Sequence, residues 1–212
     1  MDTDTTRMAV LASGDGTNLE AIARSCEQGQ LAASIELVLC NVPQAGVLGR
    51  ARALGLATRC IDHREFDSRE LFDQALINTL RAARVEFVVL AGFMRLLSAA
   101  FVRNYYGRLL NIHPSLLPKY PGLNTHQRAL EAGDRLTGST VHFVTDDLDA
   151  GPPVMQVKVP IVAGDTVETL KQRVKAQEHR LYPAAISRCL SGVASIEEPN
   201  SVFLEELRLD SK

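Results

Sequence analysis

Several absences narrow what this chain can be. No apolar run in its 212 residues approaches the ~20 that a membrane helix needs. The opening segment, Met1-Asp2-Thr3-Asp4-Thr5-Thr6-Arg7, is polar and acidic. It lacks the apolar stretch of a secretory signal and reads as a disordered leader, 1–7. There is no basic surplus: 23 Lys and Arg stand against 25 Asp and Glu, a formal charge of -2. That balance argues against a nucleic-acid partner. Cysteine is sparse, at Cys26, Cys40, Cys60 and Cys189, with no CxxC and no metal-ligand spacing. Reduced, mostly buried thiols in a cytoplasmic protein are the expectation, with no metal. No repeat, low-complexity tract or linker divides the chain. The expectation is one domain over 8–190, followed by a polar tail over 191–212.

What is present alternates between strand and helix signals. Met8-Ala9-Val10-Leu11-Ala12, Ile35 to Cys40, Phe87 to Ala91 and Leu109 to His113 are short apolar runs. Continuous apolar strands belong to parallel sheets covered on both faces. Between them lie helical stretches: one opening near Thr17, one over Gly46 to Leu54, and one carrying Phe72, Ala75, Leu76, Leu80 and Ala83 at helical spacing. A short strand is expected near Thr58 to Ile61. Asp67 with Glu70 resembles a capping box for the third helix, and Asp165 with Glu168 caps a final helix that Pro183 kinks or ends. Thr125 to Ala132 reads as a short helix, and Thr137 to Thr145 and Val154 to Val162 as a pair of strands. This order implies an α/β fold: a doubly wound, mostly parallel sheet with helices on both faces.

Two clusters carry chemistry. Gly14-Asp15-Gly16-Thr17-Asn18 joins the first strand to the first helix. Glycines let backbone approach a ligand, and a helix N-terminus offers free N–H groups to a phosphate. The loop is not a Walker A motif, and Leu19 stands where a GxGxxG would have its third glycine. Taken alone, it reads equally as a tight turn without a ligand. The second cluster is Asn111-Ile112-His113-Pro114-Ser115-Leu116-Leu117-Pro118. Residues two apart on a strand share a face, so Asn111 and His113 can converge on one atom. An imidazole can move protons, and an amide N–H can hold an oxyanion. Open α/β sheets bind ligands beyond the carboxyl ends of their strands, where this pair lies. Asp146, Asp147 and Asp149 crowd a later loop. One of them beside His113 could orient the ring, but spacing does not choose among them.

These residues carry a resemblance. Ser13 to Leu19, Val89 to Arg95, Leu110 to Gly122, Ser139 to Thr145 and Asp149-Ala150-Gly151-Pro152 resemble the phosphoribosylglycinamide formyltransferases, a branch of the folate-dependent formyltransferases. The similarity runs from about Met8 to Ser187. Lys119-Tyr120-Pro121-Gly122 and the single-domain length narrow it to that branch. The resemblance implies formyl transfer from 10-formyltetrahydrofolate, a co-substrate with no tightly bound cofactor, to the amine of glycinamide ribonucleotide in purine synthesis. It places the catalytic groups on Asn111, His113 and Asp149. It assigns Gly16, Thr17, Asn18 and Glu178 to the ribonucleotide. Arg69, Met94, Arg95, Leu96 and Leu97, with Asn111, fall to the folate, and His142 takes a supporting part. His126, His63 and His179 carry weaker expectations. Pro152-Pro153 departs from the usual pattern after the aspartate, which touches the path of that loop. The expected partners are these two small molecules, with no nucleic acid or membrane, and a monomer or weak homodimer. Two competing readings remain: hydrolysis of the formyl-folate by water, and a nucleotide-binding regulatory module needing only the glycine loop.

Overall fold

A computed structural model describes residues 5–198 and 202–203. One sheet in the order β3-β2-β1-β4-β5-β6-β7-β8 organises the chain. Its strands are β1 (Thr6–Ala12), β2 (Ala33–Cys40), β3 (Thr58–Cys60), β4 (Phe87–Leu90), β5 (Leu109–His113), β6 (Leu136–Phe143), β7 (Pro153–Pro160) and β8 (Val202–Phe203). The helices are α1 (Thr17–Glu27), α2 (Gly46–Ala53), α3 (Arg69–Ala82), α4 (Ala99–Asn104), α5 (Thr125–Glu131) and α6 (Val167–Leu190). Strands β3 to β5 pair in parallel across β2, β1 and β4, whereas β6 runs antiparallel to both β5 and β7. β5 is therefore the seam between a parallel half and an antiparallel half.

The apolar runs explain the layering. Along β1, Met8, Val10 and Ala12 enter one core with α1, α2 and α6, while Ala9 and Leu11 enter a second core with α3 and α4. A strand buried on both faces needs apolar residues at every position, because alternation sends side chains both ways. The cores also fix where the sheet opens. The parallel strands β1, β4 and β5 all end on one edge, so the glycine loop, the segment 91–97 and the Asn111–His113 pair emerge together.

Several local expectations are corrected. β1 begins at Thr6, inside the segment read as a leader. Thr6 and Arg7 pair with Ala33 and Ser34, and the Arg7 guanidinium donates to the carbonyls of Ala83 and Arg84. Residues 1–4 of that leader lie outside the described residues. Ser68, not Asp67, caps α3: its extended backbone lets Oγ accept from Leu71 N at 3.2 Å. Thr166, not Asp165, caps α6 in a reciprocal box with Thr169. Asp165 instead accepts from Val162 N and pairs with Arg173 at 2.7 Å. Pro183 does not end α6, which continues to Leu190. Leu181, Tyr182, Ala185 and Ile186 are buried around it, and that packing outweighs one missing helical hydrogen bond. The polar tail is anchored at its start, where Ala194 is buried and Ile196 packs on the same core. Residues 199–201 and 204–212 of that tail lie outside the described residues.

Candidate active site

The end of β5 and the loops around it bring the expected groups together. Asn111 and His113 share a face of β5. Asn111 lies opposite His142 on the antiparallel neighbour β6. The loop between β6 and β7 then folds back, so that Asp149 Oδ2 lies 3.4 Å from His113 Nδ1 and Asp149 Oδ1 lies 3.7 Å from His142 Nε2. The side chains of His113 and Asp149 are each 7% exposed, so the pair is largely screened from water. Asp146 and Asp147 are exposed on the outer part of that loop.

Two features aim Asp149. Its φ of 52° is the left-handed region, uncommon for a residue with a side chain. Its Oδ2 also accepts from Gly122 N at 2.8 Å, which joins it to the turn after His113. Gly151 is required for the close approach behind it. A Cβ there would stand 1.8 Å from the Phe143 carbonyl oxygen.

Hydrogen bonds assign the ring protons. A carbonyl only accepts, so His113 Nε2, 2.8 Å from Tyr120 O, is a donor. Nδ1 is then the position at which the ring gains or loses a proton, and it faces Asp149. His142 Nδ1 likewise donates to Phe143 O at 2.9 Å. Burial pushes the His142 pKa down, against the smaller opposing effects of the Phe143 bond and Asp149, so the ring is held neutral. Its Nε2 therefore accepts from Asn111 Nδ2 at 3.1 Å. That bond turns the Asn111 amide and leaves its second N–H for another acceptor.

The glycine loop forms a second centre. Gly16, at φ 78°, starts α1, and no side chain caps that end. A Cβ on Gly16 would meet Val47 Cγ2 at 2.6 Å, so glycine is needed both for the turn and for packing on α2. Thr17 Oγ1 and Asn18 Oδ1 are buried without a partner among the described residues. Such groups are costly unless something bonds them. Lys175 Nζ lies 3.9 Å from Asp15 Oδ2 and adds a positive charge beside the loop. Glu178 is buried, not an exposed helix glutamate. It accepts from Asn18 Nδ2 at 2.9 Å and from Ser139 Oγ at 3.0 Å. Ser139 Oγ also lies 2.8 Å from His113 O, so Glu178 and Ser139 connect the two centres.

The segment after β4 forms the third wall. Met94 is 68% and Leu96 58% exposed, an unusual cost for apolar side chains beside polar groups. Met94 N donates to Ser13 Oγ at 2.8 Å, which ties this segment to the glycine loop. Leu97 packs on the second core, and the Arg95 guanidinium stands 5.9 Å over the Phe72 ring. Arg69, one turn earlier on α3, is exposed and meets Glu70 at 3.4 Å. Of the weaker histidines, His63 bonds Asn41 behind the loop, and His126 Nδ1 and His179 Nε2 are buried without partners among the described residues. The sequence carried Tyr120, Gly122 and Ser139 only within matching runs and gave them no role in the site: the first two act through backbone atoms, and Ser139 is an ordinary strand serine. Lys175 did leave a signal: it precedes Glu178 by three positions and so shares its helix face.

Comparison with known proteins identifies a family. A family model described as formyl transferase matches residues 6–186. Phosphoribosylglycinamide formyltransferase of Escherichia coli (strain K12) is 49% identical over 95% of this chain and 95% of its own length. The trifunctional purine biosynthetic protein adenosine-3 of Homo sapiens is 44% identical over 92% of this chain, which spans 19% of that longer protein. Among solved structures, glycinamide ribonucleotide transformylase 1 from Symbiobacterium toebii superposes with a TM-score of 0.88, at 43% identity over 91% and 90% of the two chains. Phosphoribosylglycinamide formyltransferase from Coxiella burnetii gives 0.85, at 48% identity over 90% and 89%. With a family match over most of its length and near-complete relatives at this identity, the chain belongs to the formyl transferase family.

Proposed function

We propose that this enzyme transfers the formyl group of 10-formyltetrahydrofolate to the amine of glycinamide ribonucleotide. The observation that carries the reading is the convergence of Asn111, His113 and Asp149 in one screened site, between an uncapped helix end and an exposed apolar wall. The amine attacks the formyl carbon directly. The free N–H of Asn111 and, when a proton is carried at Nδ1, the His113 ring are the donors for the oxyanion that develops. Asp149 orients His113 and receives the proton that the attacking amine must lose. Thr17, Asn18 and the first amides of α1 suit the phosphate, and Glu178 suits a ribose hydroxyl. Met94 and Leu96, with Arg95 and Leu97 beside them in sequence and Arg69 at the start of α3, suit a flat pterin. Holding the two substrates in line supplies up to ~7–11 kcal/mol of the barrier reduction. This two-substrate arrangement favours transfer over simple hydrolysis.

The test mixes the protein with both compounds. Formylated ribonucleotide and tetrahydrofolate should appear in equal amounts. Release of tetrahydrofolate at the same rate without the amine would replace transfer by hydrolysis.

A further inference from the structure

Cys40 and Cys60 stand opposite each other on neighbouring parallel strands. The register pairs Val38 with Thr58, Leu39 with Arg59 and Cys40 with Cys60. Paired residues share a face, and adjacent strands lie about 4.7–4.9 Å apart. That falls within the ~4.4–6.8 Å Cα separation over which a disulfide closes. Formyl transfer uses neither thiol. Cys40 is buried, while Cys60 is exposed and lines a cleft of about 420 Å³ with Arg59, Glu65 and Phe66. Cys26 and Cys189 sit on helices α1 and α6 and have no such partner in register.

We propose that Cys40 and Cys60 form a reversible disulfide that loosens the turn behind the glycine loop. With hydrogen peroxide as oxidant, the exposed Cys60 sulfur attacks one peroxide oxygen. The O–O bond breaks, and a sulfenic acid and one water form. The Cys40 sulfur then displaces the sulfenic oxygen as a second water. Two thiols and one peroxide thus become one disulfide and two waters.

The consequence follows from what Cys40 holds when reduced. Its S–H donates to Val42 O at 3.2 Å, and its sulfur accepts from Val42 N at 3.4 Å. Turning the sulfur toward Cys60 gives up both contacts at the Asn41-Val42-Pro43 turn. Asn41 Oδ1 accepts from Ser13 Oγ at 2.6 Å, and Ser13 Oγ accepts from Met94 N. A change at Asn41 therefore reaches the loops assigned to both substrates. Parallel strands hold the two Cβ atoms near the strand spacing, beyond the ~3.5–4.5 Å that suits a disulfide. Such a bond is strained and readily reduced, which fits a switch better than a staple.

The full chain is treated with excess hydrogen peroxide, because burial pushes both thiol pKa values up. It is then alkylated, and its intact mass and peptide map are measured. The expected result is loss of two hydrogen atoms, a Cys40–Cys60 linked peptide, and kcat/KM lower by about tenfold, the size of one or two lost hydrogen bonds. Dithiothreitol restores activity, and Cys60→Ser abolishes both the link and the loss without altering reduced activity. An unchanged mass, or a link to Cys26, Cys189 or a second chain, overturns the proposal. A correct link with unchanged kinetics overturns its coupling to the loop. The kinetic half rests on the formyl-transfer reading, but the link is read by mass and so fails or stands separately.

Discussion

In the proposed mechanism the chemistry centres on the His113 ring, which bonds Tyr120 O through Nε2 and faces Asp149 through Nδ1. His113→Ala should lower kcat by ~10²–10⁴ with the fold intact; turnover close to that of the parent would remove it from the mechanism. Asn18→Ala, which breaks the bond to Glu178, should act chiefly on KM for the ribonucleotide. An unchanged KM would make the glycine loop a turn without a ligand. His142 makes a prediction about pH. Its pKa is lowered, so between its folded value and the ~6.5 of an unfolded histidine only the unfolded chain carries the extra proton. Stability therefore rises with pH through that window, is complete above about 6.5, and falls on acidification below it. His126 and His179 are shifted the same way by burial and steepen the slope. Asp62, lowered to about 2 by its bond from Arg64, adds a loss only at lower pH, below the ordinary carboxylate range near ~4. Urea midpoints across this range check the sign. A midpoint that stays flat from neutral to about pH 5 would contradict it.

At the scale of elements, the site depends on how tightly the β6–β7 loop is pressed on β6. Gly151→Ala puts a methyl 1.8 Å from the Phe143 oxygen, so the loop must move and the bond from Phe143 N to Pro152 O must stretch. Overpacking of this kind costs about 1–3 kcal/mol. Because Asp149 rides on that loop, kcat should fall more than stability does; normal kcat in a folded variant would show that the loop needs no such anchor. This also marks where sequence reading stops. The strands were legible because a doubly covered strand must be apolar throughout, as Phe87 to Leu90 is. The Asn111–His113 pair was legible because strand alternation is local. Asp149 was not, since its approach to His113 depends on a left-handed backbone and a folded-back loop; only the family resemblance separated it from Asp146 and Asp147. The α3 and α6 caps were each misplaced by one residue, because adjacent polar residues compete for one N-cap and backbone angles decide between them. α4 has six residues and left no periodic signal.

Across the whole molecule, α6 joins what the sheet separates. Glu178 on this helix holds Asn18 at the glycine loop, and one turn later Tyr182 is fully buried against the middle of the sheet. Its hydroxyl lies 2.9 Å from Leu90 O and 3.2 Å from Leu110 O. These are the strands whose ends carry the Met94 segment and the Asn111–His113 pair. Burial pushes the Tyr182 pKa well up, so the hydroxyl stays a donor throughout the working range. Tyr182→Phe removes that donor, conserves the ring packing, and leaves two buried carbonyls without it. The cost should be about 1–3 kcal/mol. For a chain of this length Tm should fall by roughly 2–4 °C for each kcal/mol. Tyr182 touches neither proposed substrate position. A role confined to stability would leave both KM values unchanged at temperatures well below the new Tm. If KM for both substrates rises together instead, the hydroxyl also sets the spacing of the two strand ends. An unchanged Tm would show that the tie between α6 and the sheet carries no net stability.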